Sequence, residues 1–182
     1  MLRIIMQVML TILASSYAHA SPIQNSPEDV AIKYMRAIYE EDCITSISLM
    51  HSEALNLAAN GFLAAAEAAP KEEIEKFLKV DDIESVKIMS PEQISFVFMS
   101  AIKRKRESDL GELAFRSAIN MIKKTDIKTT GSSSHGNYMK VQLTAELPAR
   151  QGMPTYVQHM VVNLGAERGS WKVISVINKT LP

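Results

Sequence analysis

The sequence predicts a single α+β domain, helices first and a curved, cone-like antiparallel β-meander last, and three observations carry that expectation. Three segments near the carboxyl end, YMKVQLTAEL (138–147), TYVQHMVVNL (155–164) and WKVISVIN (171–178), alternate with a period of two. The joints between them, LPARQGMPT and GAERGS, hold the prolines and glycines that let neighbouring strands turn and pair. Upstream, apolar residues recur at helical spacing behind helix caps. Helices followed by strands within 182 residues, 47% of them hydrophobic, suit one core.

The first twenty residues differ from the rest. Arg3 is their only charge, Ile4 to Ala14 is almost wholly apolar, and Ala18-His19-Ala20 offers small residues at the positions a signal peptidase reads. The expectation is a signal peptide over 1–20 cleaved after Ala20, a flexible lead over 21–25, and a domain over 26–182 with a helical insertion at about 52–124. The apolar run is short for a bilayer span, so no transmembrane segment is expected and the mature protein should be exported, to a periplasm or beyond. Basic and acidic side chains number 20 each, and losing Arg3 leaves one net negative charge. A nearly neutral chain has no global field to draw in nucleic acid. Cys43 is the sole cysteine, which excludes an intramolecular disulfide and reads as a buried, small apolar residue.

Ser26 opens the first helix as a cap, with Pro27 at the first helical position and Asp29 three residues on. Val30, Ala31, Tyr34, Met35 and Ile38 form its inner stripe. Asp42 can cap a short helix, Cys43 to Met50, with His51-Ser52 as the break. Ser52 to Ala69 is an alanine-rich helix, and Pro70 ends it and starts another bearing Ile74, Phe77 and Leu78. IESVKIM reads as a short strand. Ser90-Pro91-Glu92-Gln93 repeats the opening cap before Ile94, Val97, Phe98, Ala101 and Ile102, and Asp109 with Glu112 opens a further helix. Lys103 to Arg106, a dense basic cluster, reads as a helix carboxyl end complementing the dipole. DIKTTGSSSHGNY reads as a strand running into a glycine- and serine-rich hairpin loop.

Two stretches carry a family resemblance. SPEDVAIKYMRAIYEEDCITSISLMHSEAL resembles the amino-terminal helix pair of the nuclear transport factor 2-like (cystatin-like cone) superfamily, and GSWKVISV is similar to its last strand. Members with isomerase or dehydratase activity draw carboxylates, histidines and tyrosines from the sheet into the mouth of the cone. That likeness implies His159 as a general base, Tyr156 or Tyr138 as hydrogen-bond donor, and Glu146 as a second acid–base group. The residues themselves argue otherwise: Tyr156 and His159 have opposite strand parity, and Glu146 shares the polar parity of Tyr138, Lys140, Gln142 and Thr144. No catalytic residue is therefore assigned. No metal-ligand spacing or phosphate-binding glycine loop occurs, and no cofactor is expected.

What the residues do offer is apolar volume. Eleven methionines suit a core or an adaptable apolar site, and a cone with helices across its mouth leaves a concavity for a ligand. The expectation is a non-enzymatic binding module for a small apolar or amphipathic ligand, or a protein partner, with Tyr34, Met35, Phe98, Met139, Met160 and Trp171 lining the site. The order of elements also resembles the periplasmic phospholipid-shuttle proteins, which implies a lipid carrier. The second and third strands are apolar on both parities, so Val157, Val161, Ile174 and Val176, with His159 nearby, are expected to form an interface, for instance a homodimer through the sheet.

Overall fold

A computed structural model describes residues 25–148 and 155–179. The leader read at 1–20, most of the lead after it and the greater part of the LPARQGMPT joint lie outside the described residues. Among those described, helices α1 (Pro27–Tyr39), α2 (Cys43–Leu49), α3 (Ser52–Glu67), α4 (Lys71–Leu78), α5 (Glu84–Lys87), α6 (Pro91–Leu110) and α7 (Glu112–Ile122) come first. Strands β1 (Asp126–His135), β2 (Tyr138–Leu147), β3 (Tyr156–Glu167) and β4 (Ser170–Asn178) follow. They form one antiparallel sheet in the order β1-β2-β3-β4, so the chain is a single α+β domain ending in a meander.

The cap signals act as their chemistry requires. Ser26 Oγ accepts from the Asp29 amide at 3.0 Å, and Ser90 with Gln93 makes a complete capping box at the start of α6. Helix α1 ends in a Schellman arrangement: the Asp42 amide donates to Ala37 O at 2.9 Å and the Glu41 amide to Ile38 O at 3.2 Å. The residue this places in the left-handed region is Glu41, at φ 55°, where glycine is the usual occupant.

Five sequence expectations are corrected. IESVKIM holds a helix, α5, because Asp82 Oδ1 accepts from the Glu84 amide and Val86 is buried in a helical cluster. Asp109 caps nothing: α6 continues through it to Leu110, with Lys105 and Asp109 paired across one turn, and Gly111 at φ 78° makes the break. The basic cluster thus lies inside the helix rather than at its end. Gly131 to His135 is strand rather than loop, paired with 138–142 after a register shift between Thr129 and Gly131. The turn is Gly136-Asn137, with Gly136 at φ 64°, which fits the glycine-first type II′ hairpin. Cys43 is half-buried rather than buried.

One face of the sheet packs against α1. Val30, Ala31, Tyr34 and Met35 meet Ile127, Val141, Leu143, Ala145, Met160, Val162, Leu164 and Val173 in a continuous core, with Met139 and Trp171 at its margin. A second cluster, built by α3 to α6 around Phe98, Ala59, Leu78 and Val86, is internal to the helical layer; Phe62 and Phe98 stack at 4.9 Å between centroids. The layers are tied where Met50 bridges Val173 and the His51 amide donates to Val173 O at 2.8 Å. The helical insertion therefore covers itself and one end of β4, while Lys140, Gln142, Glu146, Val157 and His159 stay exposed on the far face of the sheet.

Candidate functional site

The acidic end of α1, Glu40-Glu41-Asp42, must turn sharply for α2 to start at Cys43, and that corner builds one wall of a cleft of about 690 Å³. Phe96, Ser100 and Lys103 of α6 form its back, and Phe115, Arg116, Ile119, Asn120 and Lys123 of α7 its other wall. Phe96 and Ile44 are exposed although large and apolar, whereas Phe115 is the buried anchor of α7. A second, strongly apolar groove of about 480 Å³ begins at the same Ile44 and Phe96 and runs past Ile47, Met89 and Val97. Ile44 and Phe96 line both.

The corner is held by the basic cluster. Lys103 Nζ donates to Glu41 O at 3.2 Å, and the Arg106 guanidinium pairs with the Glu41 carboxylate, whose side chain is only 9% exposed. Both carboxylate oxygens are buried and neither accepts an aligned hydrogen bond among the described residues, so the ion pair alone compensates their charge. Arg104 donates to Leu78 O at 3.0 Å. Three members of the cluster are thus structural ties between α6, the corner and the end of α4. Asp42 caps α2 by accepting from the Thr45 amide at 3.0 Å, and hydrogen bonding from the Thr45 side chain, then from this amide, holds its carboxyl below the usual range. The Cys43 thiol lies 3.7 Å from Glu41 O, and burial pushes its pKa up, an inert state rather than an activated one.

The sequence-predicted ligand residues do not converge on this cleft. Tyr34, Met35 and Met160 are core, Met139 and Trp171 pack at the core's margin, and Phe98 belongs to the separate helical cluster. Burial raises the Tyr34 phenol's pKa. The acid–base candidates are also separated. His159 stands opposite Thr144, with Oγ1 and Nδ1 3.4 Å apart, and Glu146 opposite Val157, both on the exposed face. Tyr156 stands opposite Leu147 on the other face, beside Tyr39, whose hydroxyl donates to Gln158 at 2.6 Å. Tyr138, opposite His135 and Gly165, is again on the exposed face.

The proposed interface set is redistributed by an irregularity that the alternation hides. Between Asn163 and Leu164 the β3–β4 register shifts by one residue, leaving Ile174 unpaired. Beyond it Val176 stands opposite the core residue Val162 but stays 36% exposed near the strand's end, and Ile177 opposite Val161 takes the outer position. Val161 is itself shielded to 7% exposure, while Val157 and Ile177 stay 39% and 50% exposed. Ile174 lies over Gly165, where an added Cβ would meet its Cδ1 at 2.8 Å and the His51 ring at 3.3 Å.

Glu41, Cys43, Phe96, Phe115 and Ile119 were not singled out as a site by sequence. The available signal was Phe96, which lies off the apolar stripe of its helix. Comparison of the chain with protein-family models, with curated proteins and with solved structures finds no match.

Proposed function

We propose that this chain is a binding module that holds a small amphipathic molecule in the corner cleft without turning it over. The observation that carries the reading is the make-up of the cleft: Ile44, Phe96, Phe115 and Ile119 supply apolar surface beneath a charged rim. Its volume falls in the range of roughly 300–1,000 Å³ typical of small-molecule sites. The rim acids have structural duties, Glu40 toward Arg36, Glu41 toward Arg106 and Asp42 at the α2 cap. The groups from which an isomerase or dehydratase would draw its acid and base stand on the sheet instead. Binding is therefore favoured over chemistry. An exported setting for that binding rests on the sequence reading of 1–20 alone.

The test is fluorescence of N-phenylnaphthylamine, a neutral amphipathic probe, titrated into the protein. Enhancement that disappears in a Phe96→Ser, Ile119→Ser double variant and persists in a Leu57→Ser control supports the cleft; Leu57 is an equally apolar, exposed residue on another surface. Equal enhancement in both variants would refute the assignment.

A further inference from the structure

We infer that the ligand is an amphipathic anion, whose head group is read by Lys103 and Lys123 while its tail lies over Phe96 and Phe115 toward the second groove; this deepens the reading just given and rests on it. The charges around the cleft fall into two groups. Glu40 and Glu41 are ion-paired with Arg36 and Arg106, and Arg116 is paired across one helical turn with Glu112. Asp42 faces Lys103 closely enough to feel its charge, but its carboxylate is aligned on the Thr45 amide.

The two lysines remain. Lys103 is half-buried and gives one N–H to a neutral carbonyl, Glu41 O, leaving two of its three donors for a ligand. The Lys123 ammonium has no ion-pair partner among the described residues, and it lines the same cleft from the end of α7. Two cations with unused donors at the rim of an apolar floor are complementary to a carboxylate, sulfate or phosphate head on an aliphatic or aromatic body. A cationic or neutral head would leave them uncompensated.

The backbone at the corner supports the assignment. Glu41 is held in a conformation that costs a non-glycine residue energy, and the carbonyl so oriented is the one that fixes Lys103 at the cleft. The neighbouring groove bears on the tail. Lined by Ile47, Met89 and Val97, it shares Ile44 and Phe96 with the first, which makes it the nearest apolar surface for the far end of an extended chain.

The experiment compares three probes of one chain length, dodecanoate, dodecanol and dodecyltrimethylammonium, by isothermal titration below their micelle concentrations. The expected order is dodecanoate tightest, with about a tenfold loss of its affinity for each of Lys103→Gln and Lys123→Gln. Lys123→Arg should retain it, and added salt should weaken dodecanoate alone. Lys123 is exposed and Gln at 103 keeps a donor for Glu41 O, so both variants should fold. Equal affinities for the three probes, or a preference for dodecanoate that survives both substitutions, would overturn the anion reading while leaving the cleft as a binding site. No binding of any probe would overturn both.

Discussion

The Glu41–Arg106 pair invites a double-variant test, because the structure combines two opposing terms at one residue. Breaking a fully buried ion pair by removing one partner costs about 3–5 kcal/mol. Here the carboxylate is 9% exposed but the Arg106 side chain is 57% exposed, so water screens much of the loss. The expected cost of Arg106→Ala is about 1–2 kcal/mol, or roughly 2–8 °C in Tm for a domain of this size. Glu41→Gly loses the same ion pair, yet it also removes the desolvated charge and relaxes a left-handed backbone, worth about 1 kcal/mol, against a similar entropic cost in the unfolded chain. That variant should lie within about 1 kcal/mol of wild type. The diagnostic outcome is a change of sign: in the Arg106→Ala background Glu41→Gly should restore stability, because no charge is left stranded. Urea denaturation of the four proteins, with slopes compared to confirm a common transition, measures the coupling. Additive losses would refute the claim that Arg106 is what makes a glutamate tolerable at this turn.

Three further outcomes follow from the same geometry. Gly165→Val should cost about 1–3 kcal/mol despite valine's preference for strands, because the new Cβ meets Ile174 and the His51 ring; a stabilised variant in thermal denaturation would show the contact to be slack. Ser90→Ala should cost about 1 kcal/mol and speed hydrogen exchange at the Gln93 and Ile94 amides, whereas unchanged exchange would leave the capping box without a role. Glu28, Asp42 and Glu167 have carboxyl pKa values lowered chiefly by side-chain hydrogen bonds, from Ser132, Thr45 and Ser52 respectively. Carboxyls with depressed folded pKa values contribute stability that is present above the unfolded values and lost as pH falls through the folded ones. Stability should accordingly fall below the ordinary carboxylate range, and Glu167→Gln should flatten part of that acid limb; a limb of unchanged slope would refute the contribution of the Glu167 contact at the α3 amino terminus.

The meander was legible because a sheet with one covered and one wet face writes its burial into the sequence with a period of two. Tyr138–Leu147 could be bounded to the residue for that reason. The register shift at Ile174 could not, since it belongs to the pairing of β3 with β4 and leaves no mark in either strand alone. It turned Val176 to the side of Val162, where it is still 36% exposed, and put Ile177 on the outer side. Gly131 to His135 looked like a loop because glycine and serine have low strand propensity, but the partner strand overrides that preference. The cleft was the least legible feature: it joins the 40–44 corner to parts of α6 and α7 through tertiary packing, and its most informative residue, Glu41, is unusual only once its φ is known. The basic run was similarly opaque, because its members turn to different neighbours around one helix.

Backbone amide NMR of the protein titrated with dodecanoate tests the central claim most directly. The account predicts shifts concentrated at Cys43, Ile44, Phe96, Lys103, Phe115 and Ile119, saturating together, with Val161 and Leu143 of the sheet unmoved. Shifts centred on His159 and Val157 of the exposed sheet face, or on Tyr34 and Met160 in the core, would contradict it.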